Sequence, residues 1–101
     1  MKSYKVVLST EARTMLISHI RFLASVNPDA AENVRAALMA EIRRLNRMPE
    51  RFPYLDVNHR RSLYRKMYVP NNYLVIYVIE DDTVYVEYIL DCRQDYSWLI
   101  D

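Results

Sequence analysis

The spacing of apolar residues changes from a helical period to a strand period near residue 49, and that order limits the folds open to this chain. Between residues 9 and 48, apolar side chains recur at steps of three and four. Between residues 62 and 90, the chain is rich in Tyr, Val and Ile. Because helices and most strands occupy separate blocks, the pattern predicts an α+β domain rather than an alternating α/β one.

The first block begins with a short strand and a helix. Tyr4 to Leu8 is a β-rich run, and the Ser9 hydroxyl that follows it can cap a helix N-terminus. This helix is predicted to continue to about Ser25. Its apolar stripe consists of Ala12, Met15, Leu16, His19, Ile20 and Leu23.

A second helix is predicted after a stop at Asn27-Pro28-Asp29. Asn27 is the candidate cap, Pro28 suits the first helical position, and Asp29 is favourable at the positive end of the helix dipole. The helix is predicted to end near Met48, where the arginines between residues 43 and 47 suit the negative end of the dipole. The short turn predicts that the two helices pack as an antiparallel hairpin. The buried stripe consists of Ala31, Val34, Leu38, Ile42 and Leu45.

The second block predicts a three-stranded antiparallel meander followed by a short C-terminal segment. Pro49 to Asn58 contains two prolines and is interpreted as a connection from the helices to the sheet. The chain has no glycine, so Asn71-Asn72 and Asp81-Asp82 are expected to supply the left-handed residues at the two reversals. The predicted strands are Ser62 to Val69, Tyr73 to Glu80 and Thr83 to Leu90.

The central strand of this meander is apolar on both faces. Val75, Tyr77 and Ile79 alternate with Leu74, Ile76 and Val78. One face is expected to pack on the helices, because a helical hairpin must bury its own stripe. The other must be covered by the C-terminal segment or by a partner.

Composition is that of one ordinary globular domain of 101 residues, 51% hydrophobic and 27% charged. The net charge is only +1, so any nucleic-acid contact must depend on a local basic surface.

A single cysteine, Cys92, excludes an intramolecular disulfide. No spacing suits a metal or cofactor, and without glycine no phosphate-binding loop can form. With no leader visible at the first residues and no membrane-spanning run, a cytoplasmic protein is expected.

One basic cluster lies at the start of the meander. It combines His59, Arg60 and Arg61 with Arg65 and Lys66. The cations alternate with tyrosines, and guanidinium groups that pair with phosphate beside stacking aromatic rings suit RNA or another phosphate-bearing target. The alternative is a solvated strand end whose arginines pair with acids such as Asp56. The interleaved tyrosines are Tyr64 and Tyr68.

A second cluster follows the last predicted strand. Arg93 emerges at the strand end, a common place for functional side chains. The alternative is an ion pair with Asp91 or Asp95. Tyr96, Trp98 and Leu99 are expected to form a plug over the sheet. Both histidines, His19 and His59, are interpreted as packing or solvated residues rather than catalytic ones.

In its order of elements and in several short motifs, the chain resembles the RelE/ParE toxin superfamily. Residues 47–53 (Arg-Met-Pro-Glu-Arg-Phe-Pro) resemble the family's proline-bearing link, and residues 63–66 (Leu-Tyr-Arg-Lys) its Leu-Tyr-Arg strand entry. Residues 72–77 resemble its central Tyr-x-x-x-Tyr strand, and residues 91–96 its Arg-Asp ending. The resemblance covers nearly the whole chain.

This resemblance implies a toxin of a type II toxin-antitoxin system, with no cofactor, that a cognate antitoxin binds and silences. The open sheet face fits such a partner, and a homodimer is also compatible with it. The residues at the C-terminus, Tyr96, Trp98 and Leu99, are the candidates to face the antitoxin.

The superfamily divides by target. In RelE-like members, which cut mRNA on the ribosome, an arginine commonly follows the first tyrosine of the central strand, where this chain has Leu74. If this chain were such a nuclease, Arg93, Arg65 and Lys66 would be its catalytic cations. ParE-like members inhibit DNA gyrase by binding, and the pattern here is closer to theirs. A non-toxic co-repressor that only binds antitoxin is the third alternative. The candidates for target contact are Arg60, Arg61, Tyr64, Arg65 and Tyr68.

Overall fold

A computed structural model describes residues 2–57, 60–70 and 72–93, apart from the side chains of residues 57 and 60–62. It contains two α-helices, two single 3₁₀ turns and five strands, which confirms the predicted α+β class. The elements are β1 (Lys5–Leu8), α1 (Thr10–Val26), α2 (Pro28–Arg43), the 3₁₀ turns Arg44–Asn46 and Pro49–Arg51, β2 (Tyr54–Val57), β3 (Arg60–Val69), β4 (Tyr73–Glu80) and β5 (Thr83–Asp91).

Both helices begin at the predicted caps. The Ser9 hydroxyl accepts a hydrogen bond from the Ala12 N–H at 2.9 Å, and the Asn27 side chain accepts one from the Ala30 N–H at 3.1 Å. Each cap satisfies a backbone donor that has no partner within the helix. Pro28 occupies the first turn of α2, as predicted.

The predicted end of α2 near Met48 is wrong, since the helix ends at Arg43. The chain tightens into the first 3₁₀ turn, and Met48 then adopts a left-handed conformation with φ of 49°. Proline disfavours right-handed helical geometry at the residue before it, so Pro49 prevents a helix from continuing through Met48. Leu45 remains in the core at 0% exposure.

The sheet has the order β1-β5-β4-β3-β2, with β1 parallel to β5 and every other pair antiparallel. The interpretation of Pro49 to Asn58 as a plain connection is therefore wrong, because it contains β2. Tyr54 and Leu55 are good strand formers, and Pro53 stands just before the strand, where its missing N–H is harmless. Asn72 and Asp81 take positive φ at the reversals, as the absence of glycine predicts. Asn71 lies outside the described residues.

The helices cover one face of the sheet and bury a core with Tyr77, Val75 and Met67 from the central strands. An irregularity between Ile76 and Tyr77 in the pairing of β4 with β5 leaves Glu87 as an extra residue. The side-chain alternation of β5 reverses there, as a β-bulge requires.

The opposite face of the sheet is also apolar, as predicted from the sequence. Leu55, Leu74, Ile76 and Leu90 are each at most 7% exposed on that face. The segment expected to cover it, residues 94–101, lies outside the described residues. No helix in the described ranges is long and apolar enough to cross a bilayer.

Candidate functional site

The two cations that follow each other on β3 point to opposite faces of the sheet. Arg65 pairs with Tyr77 of β4 and lies on the helix-covered side. Lys66 pairs with Ile76 and lies on the opposite side. Successive strand residues alternate faces, so the structure does not bring Arg65 and Lys66 together around one reacting group.

Arg65 forms hydrogen bonds with the segment between α2 and β2. We call this segment, residues 44–53, the link. Arg65 Nη1 donates to the carbonyl oxygens of Glu50 at 3.0 Å and Phe52 at 2.8 Å. Its guanidinium also lies over the Tyr54 ring, 4.0 Å from the centroid. Charge-assisted hydrogen bonds and a cation–π contact together hold this side chain in one place.

Tyr77 also forms a hydrogen bond with the link, from a position in the core. Its hydroxyl donates to the Pro49 carbonyl oxygen at 2.6 Å, and the side chain is fully buried. Burial raises the pKa of the Tyr77 phenol to about 12. The folded protein therefore retains the neutral phenol to a higher pH than the unfolded chain does.

The surface opposite the helices carries tyrosines above an apolar floor, and we call it the tyrosine face. Tyr68 is 63% exposed and Tyr64 is half-buried. Tyr88 of β5 is half-buried beside Tyr64, and burial raises the pKa of its phenol. Lys66 is the cation among them. Rigid aromatic groups with a polar tip are suited to protein contact.

Arg93 lies just beyond β5 in a bidentate ion pair with Asp91. Its Nε is 2.8 Å from Asp91 Oδ1, and its Nη2 is 3.0 Å from Oδ2. This pairing, which the sequence left as an alternative, holds the pKa of the Asp91 carboxyl below its ordinary value. The Arg93 side chain is 55% exposed, and its guanidinium lies 5.8 Å from the centre of the Tyr73 ring.

His19 of α1 packs against the same strand end. Its Nε2 donates to the Ile89 carbonyl oxygen at 2.7 Å, and its ring centre lies 5.3 Å from that of Tyr73. These contacts agree with the packing role predicted for His19. No cluster of potential metal ligands is present among the described residues.

Several predicted site residues lie outside the described part of the structure. The side chains of Arg60 and Arg61 lie outside the described part of the structure, as does the whole of His59. The proposed antitoxin-facing residues Tyr96, Trp98 and Leu99 also lie outside it.

A basic surface that sequence reasoning did not single out lies on the link. Arg44, Arg47 and Arg51 line one cleft there together with Asn46 and Met48. The sequence does show four arginines among residues 43–51. Arg43, Arg44 and Arg47 were already explained by their place at the negative end of the helix dipole, so no binding surface was predicted there.

A helical hairpin packed on a mixed five-stranded sheet is the architecture that the resemblance to the RelE/ParE superfamily predicts. The chain belongs to the ParE toxin family, because the model of that family matches residues 6–96. The family is described as "ParE toxin of type II toxin-antitoxin system, parDE". This confirms the resemblance drawn from the sequence. No curated protein matches the sequence significantly.

Several solved structures share the fold, and two of them illustrate the likeness. One is from the chromosomal ParDE system of P. aeruginosa, with a TM-score of 0.72 and 8% identity, covering 86% of this chain and 94% of that chain. The other is the conserved hypothetical protein HP0894 from Helicobacter pylori, with a TM-score of 0.54 and 14% identity, covering 85% and 91%. At such low identity these likenesses establish the fold alone.

Proposed function

We propose that this ParE-type toxin arrests growth by binding DNA gyrase through its tyrosine face, and that a cognate antitoxin silences it. The observation that carries the proposal is the match to the ParE family over residues 6–96. The commitment of Arg65 to link carbonyls and of Arg93 to Asp91 supports a binding mechanism, because both guanidinium groups already have partners. An exposed Tyr68 above apolar residues supports a protein as the target.

The test is inhibition of plasmid supercoiling by purified gyrase. The wild-type protein is expected to block supercoiling, and Tyr68→Ala to need about tenfold more protein, since losing one aromatic anchor costs about 1–2 kcal/mol of binding. Phe22→Ala is the matched control, because Phe22 is a 71% exposed aromatic residue of α1 and is not among the residues that form the tyrosine face. An unaffected gyrase would contradict the proposed target, and equal potency of Tyr68→Ala would contradict the proposed face.

The antitoxin contact is proposed for the exposed end of α1. Phe22 and Val26 are 71% and 78% exposed, and their spacing of four residues places them on one side of the helix. Adjacent exposed apolar side chains of this size favour a protein partner, and membership of the parDE family supplies the antitoxin as that partner.

Single substitutions at Phe22 and Tyr68 should distinguish the antitoxin contact from the gyrase contact. Phe22→Ser is expected to weaken antitoxin binding at least tenfold while gyrase inhibition stays intact, because a polar side chain removes the apolar contact without disturbing the core. Isothermal titration with the cognate antitoxin, sought as the product of the neighbouring gene, measures this. Tyr68→Ala should show the converse pattern, and unchanged antitoxin affinity for Phe22→Ser would contradict this contact.

A RelE-like nuclease is the second candidate, favoured by the position of Arg93 beside Tyr73, whose ring also packs against His19. A half-exposed guanidinium at a strand end could stabilise charge on a reacting phosphate. If ribosome-bound mRNA is cut, Arg93→Ala should abolish cleavage and leave antitoxin binding intact. Cleavage that persists in Arg93→Ala would remove this residue from the mechanism.

A further inference from the structure

We propose that the cleft on the link binds the phosphate backbone of nucleic acid without reading its sequence. The cleft is a shallow depression of about 360 Å³ that is open to solvent beyond the end of α2. The side chains that line it are Arg44, Asn46, Arg47, Met48 and Arg51. Three guanidinium groups and an amide supply donors, and no carboxylate belongs to this set.

The backbone of the link holds one of these arginines in place. The left-handed conformation of Met48 turns the chain back toward α2. Arg51 Nη1 then donates to the carbonyl oxygens of Arg47 at 2.6 Å and Met48 at 3.1 Å. Its guanidinium lies 4.7 Å from the centre of the Phe52 ring. An arginine already ordered in this way loses less conformational freedom when an anion binds.

The ion pair of Arg44 offsets little of its positive charge. Arg44 Nη1 lies 3.2 Å from Glu41 Oε1, and the two side chains are 68% and 33% exposed. Ion pairs at such exposed positions are weak. Glu50 accepts a hydrogen bond from the Tyr4 hydroxyl at 3.0 Å. Its own backbone N–H and the Tyr4 hydroxyl hold the pKa of its carboxyl below its ordinary value. Residues 43–51 thus carry four arginines against one glutamate.

The lining favours phosphate over an acidic protein segment. Protein interfaces usually depend on buried aromatic or aliphatic anchors, and Met48 is the only apolar side chain in the set. The set contains no aromatic ring on which a base could stack. Arginine and amide donors without such anchors are typical of backbone contacts, which position a nucleic acid but do not specify its sequence.

The test is fluorescence anisotropy with a labelled DNA duplex of about 20 base pairs and a single-stranded RNA of about 20 nucleotides, at several salt concentrations. Three phosphate contacts predict that duplex affinity falls about 40-fold between roughly 50 and 200 mM salt. Arg47→Gln and Arg44→Gln should each lower affinity, and each should reduce that fall to about 12-fold by removing one contact. The tighter of the two probes identifies which nucleic acid the cleft prefers.

Arg35→Gln is the matched control, since Arg35 is an exposed arginine of α2 paired with Glu32 at the same i,i+3 spacing as Arg44 with Glu41. It should bind like the wild type. Equal affinity of the wild type and both link variants would overturn the proposal, and so would tighter binding of a polyglutamate of equal charge. Gyrase is absent from this assay, so failure here leaves the proposed gyrase target standing, and failure of the gyrase assay leaves this proposal standing.

Discussion

Arg65→Met is expected to lower the free energy of unfolding by about 3 kcal/mol, because it removes the charged group that fastens the link to the sheet. The substitution deletes hydrogen bonds to the Glu50 and Phe52 carbonyl oxygens and the stacking on Tyr54. Hydrogen bonds to a charged donor contribute about 1.5–3 kcal/mol, and a cation–π contact adds about 0.5–2 kcal/mol. Methionine preserves much of the aliphatic packing, so the loss reports the polar contacts.

Urea denaturation measures this loss, and two variants calibrate it. Arg35→Met removes an exposed arginine whose partner is only Glu32, and it should change stability by less than about 0.5 kcal/mol. Arg65→Lys keeps the charge but not the planar fork, so it should fall between the wild type and Arg65→Met. If Arg65→Met is as stable as Arg35→Met, Arg65 does not fasten the link, and it becomes available again as a functional cation.

The second large effect is an alkaline loss of stability that depends on Tyr77. Burial raises the pKa of this phenol from 10.0 to about 12 in the folded protein. The neutral phenol is favoured by folding, so its contribution is fully present below about pH 10 and is lost as pH rises through about 12. We expect the wild type to lose about 2 kcal/mol more than Tyr77→Phe between about pH 9 and pH 12.

Denaturation curves of the two proteins across this pH range measure the difference. Val86→Ala is the control for lowered stability alone, because Val86 lies opposite Tyr77 on β5 and has no titratable group. Its stability should run parallel to that of the wild type as pH rises. Parallel curves for Tyr77→Phe and the wild type would contradict the buried, neutral phenol.

The helices were predictable from local chemistry. Ser9 and Asn27 cap them as expected because a side-chain oxygen beside a helix start satisfies a nearby N–H whatever the rest of the fold does. The end of α2 was less predictable. The arginines after residue 43 are good helix formers, and only the effect of Pro49 on Met48 opposes them.

β2 was missed because two prolines, Pro49 and Pro53, precede a very short strand. Tyr54–Val57 forms only because β3 offers it an edge, and a local pattern cannot report a partner that is distant in the chain. The same limit applies to Arg65. Its place in the sequence beside Lys66 suggested one basic site, whereas the pairing of β3 with β4 assigns the two side chains to opposite faces.

The link arginines were missed for a different reason. Arg44 and Arg47 follow a helix, where cations are expected, and nothing local distinguishes a dipole role from a binding role. Arg51 joins them only through the left-handed turn at Met48. That turn brings residues from both ends of the link to one cleft.

We propose that this ParE-type toxin stops growth by inhibiting DNA gyrase. The most direct test of gyrase as the target is induction of the chain from a tight promoter, with separate pulse labels for DNA synthesis and protein synthesis in the first minutes. We predict that DNA synthesis stops first while translation continues, and that Tyr68→Ala delays the stop. An immediate arrest of translation with cleaved messages would contradict the claim and favour the RelE-like nuclease, and no arrest at all would favour the non-toxic co-repressor.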